Sequence, residues 1–134
     1  MRDKVKRFSN WMTAFDRIEP SIFIAGFQKC GTTSLYDYLS SLPGVLPGKV
    51  KERNDLSKND FVLSDYLANF PRKKPDYITL CGSHQLTYFP DGLVRLKRYF
   101  PNSKLVLIAR DPVNRAFSLY KHNSRVSDDA AKSF

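Results

Sequence analysis

Only two cysteines, Cys30 and Cys81, stand in the 134 residues, too few for a disulfide scaffold. Neither belongs to a paired metal-ligand spacing, and the two histidines, His84 and His122, do not gather with them along the chain, so a structural zinc site is excluded. Long hydrophobic runs are missing as well. The longest, residues 22–27, falls far short of the ~20 residues that span a bilayer, and no apolar stretch follows the basic residues 1–7 as it would in a secretory leader. Acidic residues are scarce, 13 against 22 Lys and Arg, which leaves a net charge of +9 and a sequence pI near 9.7. Such an excess points to polyanionic partners (nucleic acid, phosphorylated cofactors, acidic glycans or an anionic membrane surface) without choosing among them.

Aromatic residues, by contrast, are plentiful. Ten Phe and seven Tyr supply bulk for a core, and 42% hydrophobic with 26% charged residues is ordinary globular usage, which excludes wholesale disorder. A chain of this length makes one domain, so a two-domain enzyme is excluded too.

Periodicity divides the chain into alternating elements. Phe8, Trp11, Met12 and Phe15 recur at helical spacing in a lead-in segment over residues 1–20. Residues 21–27 form a short apolar run that ends near a glycine, which suits a buried strand. Residues 32–42 predict a helix with Leu35, Tyr38, Leu39 and Leu42 on its apolar face, stopped by Pro43, Gly44, Pro47 and Gly48. Residues 49–59 are charged and read as exposed. A helical stripe over 61–70 ends at Pro71, a strand follows over 77–81, and a helix over 91–100. Residues 104–109 give the clearest strand of the chain, and 112–123 a helix with proline in its first turn. Alternation of this kind predicts a three-layer α/β/α fold around a parallel sheet.

Two segments carry chemistry. Gly26-Phe-Gln-Lys-Cys-Gly-Thr-Thr-Ser34 lies between a strand and a helix, and Gly26 and Gly31 keep the spacing of the nucleotide loop G-x-x-x-x-G-K-[ST]. Glycines there permit the tight turn that aims successive N–H groups at an anion. Thr32 takes the usual lysine position, and the lysine comes three residues earlier as Lys29. In the second segment, a strand delivers Arg110 to its C-terminal tip, where open α/β sheets bind ligands, and Ser118 follows in the next helix. A guanidinium and a hydroxyl converging there would hold a second phosphate. Asp111, just before Pro112, reads as a helix cap.

Taken together, these segments resemble the sulfotransferases that use 3′-phosphoadenosine 5′-phosphosulfate (PAPS). The first matches the family's 5′-phosphosulfate loop over residues 27–35, and the second its 3′-phosphate motif over residues 109–120. With Ser34 after the threonines, the loop looks like the G-T-T-S-L of the carbohydrate and bacterial branch. The resemblance implies a P-loop-NTPase-like sulfotransferase fold in truncated form, with residues 21–134 as a partial domain lacking its C-terminal part. It implies that Lys29 meets the bridging and sulfuryl oxygens, that Gly31, Thr32, Thr33 and Ser34 bind the 5′-phosphate, and that Arg110 and Ser118 bind the 3′-phosphate. Lys51-Glu52 looks like the family's Lys-Glu pair, in which Glu52 would be the general base. Glu52 also reads as a solvated carboxylate in a charge-rich run.

The chain departs from the family pattern in two places. Arg53-Asn-Asp-Leu56 follows the Lys-Glu pair where relatives carry a histidine and two phenylalanines, and of the family's later G-E-[KA]-S-P-x-Y segment only Gly82 and Tyr88 remain. His84 falls near the lysine of some members, and is read here as a structural histidine. The implied function is transfer of a sulfuryl group from PAPS to a hydroxyl or amine, on a carbohydrate, with no metal and no nucleic acid. A non-catalytic nucleotide-binding remnant and a P-loop kinase are the rival readings. The residues read as cytoplasmic, with the Golgi as the alternative if the chain is a piece of an anchored protein.

Overall fold

The computed structural model describes residues 2–131. Its spine is the strand β1 (Pro20–Gly26). Pro20 takes the first strand position, where a missing N–H is tolerated, and the register against the neighbouring strand shifts between Pro20 and Ile22. Alternation then sends Phe23 and Ala25 to one face and Ile22 and Ile24 to the other, so both faces are apolar and both are covered. Two more strands, β2 (Thr79–Gly82) and β3 (Lys104–Ile108), flank β1 in the order β2-β1-β3, all parallel. The sheet of three strands with helices on both sides is the layered α/β architecture that the alternating pattern predicts.

One face is covered by α2 (Thr32–Ser40). Its inward residue is Tyr36, packed with Ile24 and Leu80, and Leu35 and Leu39 flank it. The helical wheel predicts Tyr38 and Leu42 on this face as well, but both are exposed. The face that finds a partner is the one centred on Tyr36, because Ile24 of β1 and Leu80 of β2 present their apolar side chains there.

The other face carries the larger core. Phe23, Ala25 and Cys81 of the sheet meet Leu56, Tyr66, Leu67, Phe70, Leu86, Leu96 and Phe100. These come from α3 (Leu63–Leu67), α4 (Pro90–Tyr99) and the turns around them, with Ala14 of α1 (Arg2–Ala14) at the margin. Tyr66 is the hub: its ring lies 5.3 Å from Phe70 and 5.8 Å from Phe100, and its hydroxyl donates to Cys81 Sγ at 3.2 Å. Each such large buried side chain contributes about 1.5–3 kcal/mol. Burial pushes the Cys81 thiol up to about 11 and holds the Tyr66 hydroxyl well above its ordinary value, so both stay neutral.

Residues 49–59 are not the exposed charged loop that their composition predicts. Leu56 is fully buried, and the backbone of Lys51 and Arg53 bonds to Gly82 (Gly82 N to Lys51 O, 3.0 Å; Arg53 N to Gly82 O, 2.9 Å). A short parallel bridge, Glu52 to Gly82, thus extends the sheet beyond β2. Further along, partial burial works to raise the pKa of the Asp55 carboxyl, but the hydrogen bond from Lys58 and the charges of Arg53 and Lys58 outweigh it and hold it below its ordinary value.

After β3 the chain enters α5 (Pro112–Ala131). Among the described residues β3 is an edge, with Leu105 and Leu107 46% and 63% exposed; Val113, Phe117 and Tyr120 on α5 are exposed as well. An apolar edge strand templates pairing with another chain. The protein should therefore self-associate at micromolar concentration, and Leu107→Lys should shift it toward monomer in light scattering. Association undiminished by that substitution would exclude the β3 edge as its cause.

Candidate functional site

The close approach of β1 and β3 fixes the site. A Cβ on Gly26 would lie 2.6 Å from the carbonyl oxygen of Ile108, so only glycine lets the two strand ends meet. Beyond Gly26 the backbone turns through two left-handed residues, Lys29 (φ 67°) and Gly31 (φ 98°). Glycine adopts this conformation freely. For Lys29 it costs about 1 kcal/mol, the kind of local strain that collects at ligand sites. Gly31 then caps α2 without any side-chain hydrogen bond to the helix, and nothing stands within 4 Å of where its Cβ would be. Thr32, Thr33 and Ser34, the first residues of α2, line an open cleft, where the positive end of the helix dipole lies.

The bridge to Gly82 carries Lys51 and Glu52 to the same place. Lys51 Nζ donates to Thr33 Oγ1 and lies 3.8 Å from Glu52 Oε1. The other carboxylate oxygen, Oε2, is 3.1 Å from His84 Nδ1. Both Glu52 oxygens are therefore partnered, and the carboxylate is oriented although its side chain is 38% exposed. From β3, Arg110 Nη1 donates to the carbonyl of Lys29 at 3.2 Å and ties the strand tip to the loop. Asp111 Oδ1 accepts from Asn114 N at 2.9 Å, the helix cap that its place before Pro112 predicts.

All of these meet at one cleft of about 610 Å³. Lys29, Gly31, Thr32, Thr33 and Ser34 line it from the loop, Glu52 from the bridge, and Arg110 and Ser118 from the end of β3 and α5. Every site residue singled out in the sequence is thus brought together, although Gly31 and Ser118 are 87 positions apart. His84, read from the sequence as structural, is half-buried and lines the cleft with Nδ1 on Glu52. Gln28, His122 and Asn123 also line the cleft and were not foreseen. His122 lies one helical turn past Ser118, a spacing that could have found it. Among the described residues no group of three or more His, Cys, Asp or Glu could hold a metal ion. Cationic Lys29 and Arg110, a helix N-terminus and several hydroxyls give the cleft a chemistry suited to anionic groups, with one oriented carboxylate and an imidazole beside them.

The family model described as a sulfotransferase domain matches residues 19–134. The chain is similar to the bifunctional heparan sulfate N-deacetylase/N-sulfotransferase 1 of Caenorhabditis elegans, 29% identical over 112 residues that make up 77% of this chain and 13% of that protein. It is similar also to the bifunctional heparan sulfate N-deacetylase/N-sulfotransferase 3 of Homo sapiens, 29% identical over 128 residues, 89% of this chain and 14% of that one. The chain thus spans only a small part of these relatives. Among solved structures, a sulfotransferase from Alicyclobacillus acidocaldarius superposes with a TM-score of 0.71 at 28% identity, over 81% of this chain and 51% of that one.

The strained loop gives a direct test. Lys29→Gly removes the left-handed strain and the ammonium together. The ligand-free protein should gain about 1 kcal/mol of stability, while its thermal stabilisation by inorganic pyrophosphate should shrink. Loss of stability without ligand would mean instead that the Lys29 side chain itself braces the loop.

Proposed function

This chain belongs to the sulfotransferase domain family, and on that premise we propose that it transfers a sulfuryl group from PAPS to a hydroxyl or amine of a carbohydrate. The observation that carries this reading is the convergence, in one cleft, of an uncapped helix N-terminus with Lys29, a second cationic end at Arg110 and Ser118, and the oriented carboxylate of Glu52. A donor with phosphates at both ends of its ribose asks for two separated anion sites. The relatives named for heparan sulfate N-sulfotransfer support a carbohydrate amine as one acceptor class.

The residues divide the work as follows. Gly31, Thr32, Thr33 and Ser34 bind the 5′-phosphate through backbone N–H groups and hydroxyls. Thr33 accepts a hydrogen bond from Lys51, which leaves its own proton for a phosphate oxygen. Arg110 and Ser118 bind the 3′-phosphate, the guanidinium by paired hydrogen bonds. The acceptor oxygen or nitrogen attacks sulfur in line with the departing phosphate oxygen. One S–O bond breaks as the new bond to sulfur forms, and the acceptor's proton passes to the Glu52 carboxylate. Lys29 and the loop N–H groups stabilise the charge that gathers on the leaving phosphate. His84 and Lys51 hold the two Glu52 oxygens so that the base meets the acceptor in one orientation. The sulfuryl group carries less charge than a phosphoryl group, and these cationic and dipolar contacts serve the reaction without a metal.

Two substitutions test binding and chemistry separately. Arg110→Ala should weaken adenosine 3′,5′-bisphosphate much more than adenosine 5′-phosphate, by the worth of a charged contact, about 1.5–3 kcal/mol. Equal losses in calorimetric titration would remove the 3′-phosphate from Arg110. Glu52→Gln keeps the shape of the side chain but accepts no proton, so turnover should fall about 10²–10⁴-fold while donor affinity holds. Unchanged turnover would pass the base role to His84.

A further inference from the structure

The cleft draws nothing from α1, and the matched family segment begins only at residue 19. Yet α1 is built in a definite way. One side is anchored: Ala14 is buried in the main core, and Asn10 Nδ2 donates to Asp65 Oδ1 of α3 at 2.8 Å. A different side carries Val5, Phe8 and Met12, with Phe15 just past the helix end, spaced so that they form one stripe, and Trp11 joins it. All five are 58–77% exposed. The rings of Phe8 and Trp11 stack at 6.2 Å, and Trp11 and Phe15 run on into a groove of about 380 Å³ against Val62, Leu63 and Leu67.

Beside this stripe stands a basic loop. Residues 71–75 read Pro-Arg-Lys-Lys-Pro, and the backbone ties them to the end of α1: Ile18 N bonds to Pro71 O at 3.0 Å and Lys73 N to Asp16 O at 2.8 Å. Arg72, Lys73 and Lys74 are all exposed. Asp16 is taken up by Arg72 at 3.4 Å, and the charged lining of the groove is Arg17 and Lys73 with one carboxylate, Glu19. The sequence of α1 adds Arg2, Lys4, Lys6 and Arg7 against Asp3. Position matters as well. The end of α1 leads into the N-terminal end of β1, and the basic loop leads into the N-terminal end of β2, whereas the cleft opens at the C-terminal ends of the same parallel strands.

We propose that the apolar stripe of α1 and the basic residues 72–74 form one docking surface for an anionic lipid bilayer, with the cleft facing away from it. The stripe enters the boundary between headgroups and acyl chains, and the basic residues meet the anionic headgroups. No helix of the described residues is long and apolar enough to cross a membrane, so the contact is with its surface. Charge favours lipid over a second copy of the chain. A symmetric pair sets the patch against itself, basic residue facing basic residue, whereas an anionic bilayer supplies the opposite sign. This inference is independent of the sulfuryl-transfer reading.

The chain contains a single tryptophan, Trp11, and it lies on the stripe, so its emission reports occupancy directly. Vesicles of phosphatidylcholine with phosphatidylserine should shift Trp11 emission to the blue and sediment the protein, and vesicles of phosphatidylcholine alone should do so far more weakly. Phe8→Ser with Met12→Ser should weaken binding about tenfold or more. Arg72→Gln, Lys73→Gln and Lys74→Gln together should weaken it about a hundredfold on the anionic vesicles alone. The changed side chains are exposed, and an unaltered melting curve verifies the fold. Equal binding to both vesicles, or no blue shift on either, overturns the proposal. A blue shift that grows with protein concentration in the absence of lipid, and is lost in Phe8→Ser with Met12→Ser, assigns the stripe to a second copy instead. Vesicle binding lost only in Leu107→Lys assigns it to the β3 edge.

Discussion

The contact between Gly26 and the carbonyl of Ile108 governs the rest of the molecule. Because no side chain separates them, the end of β1 and the end of β3 converge, and the loop after β1 comes within reach of Arg110 after β3. A cation from one strand tip and a turn of N–H groups from the other then share one cleft. Any Cβ at position 26 would wedge the strands apart and separate the two ends of the site, even with every site residue still present.

A second constraint acts across the sheet. Gly82 ends β2 with a free edge, and the backbone of Lys51 and Arg53 completes the ladder there. Buried backbone groups find partners, so a charged stretch is drawn in to satisfy them. A Cβ at Gly82 would stand 3.2 Å from the Lys51 carbonyl oxygen, so the missing side chain lets that backbone come close. Glu52 therefore stands over the cleft by the same bonds that close the sheet edge. Its orientation comes from Lys51 and His84, one on each carboxylate oxygen.

Stability and strain sit in different parts of the fold. Tyr66, Phe70 and Phe100, with Cys81 beside them, form the packed core on one face of the sheet, where the chain's bulk is concentrated. That reserve tolerates a left-handed Lys29 and an uncapped helix start, both of which would be removed by selection for stability alone. The exposed residues of β3, α5 and α1 are the converse: apolar surface that this core does not use.

Much of this was legible in residue order, because the signals are local. Turn chemistry and apolar runs located β1, α2, β3 and α5, and the spacing of Gly26, Lys29 and Gly31 marked the loop that lines the cleft. Arg110 and Ser118 could be paired with that loop through a family resemblance, and the shared cleft followed from parallel topology, which gathers strand tips at one end. Tertiary structure alone decided the remainder. A charged segment, residues 49–59, carries no periodicity to announce that β2's edge will bind it or that Leu56 will be buried. Tyr36 replaces Tyr38 in the core because Ile24 and Leu80, from two strands distant in sequence, present the apolar surface on which it packs. His84 belongs to the site because that same bridge brings Glu52 to it. Hydrophobic periodicity reports which side of an element is apolar; which apolar side finds a partner, and which stays open as on α1 and β3, depends on what packs beside it.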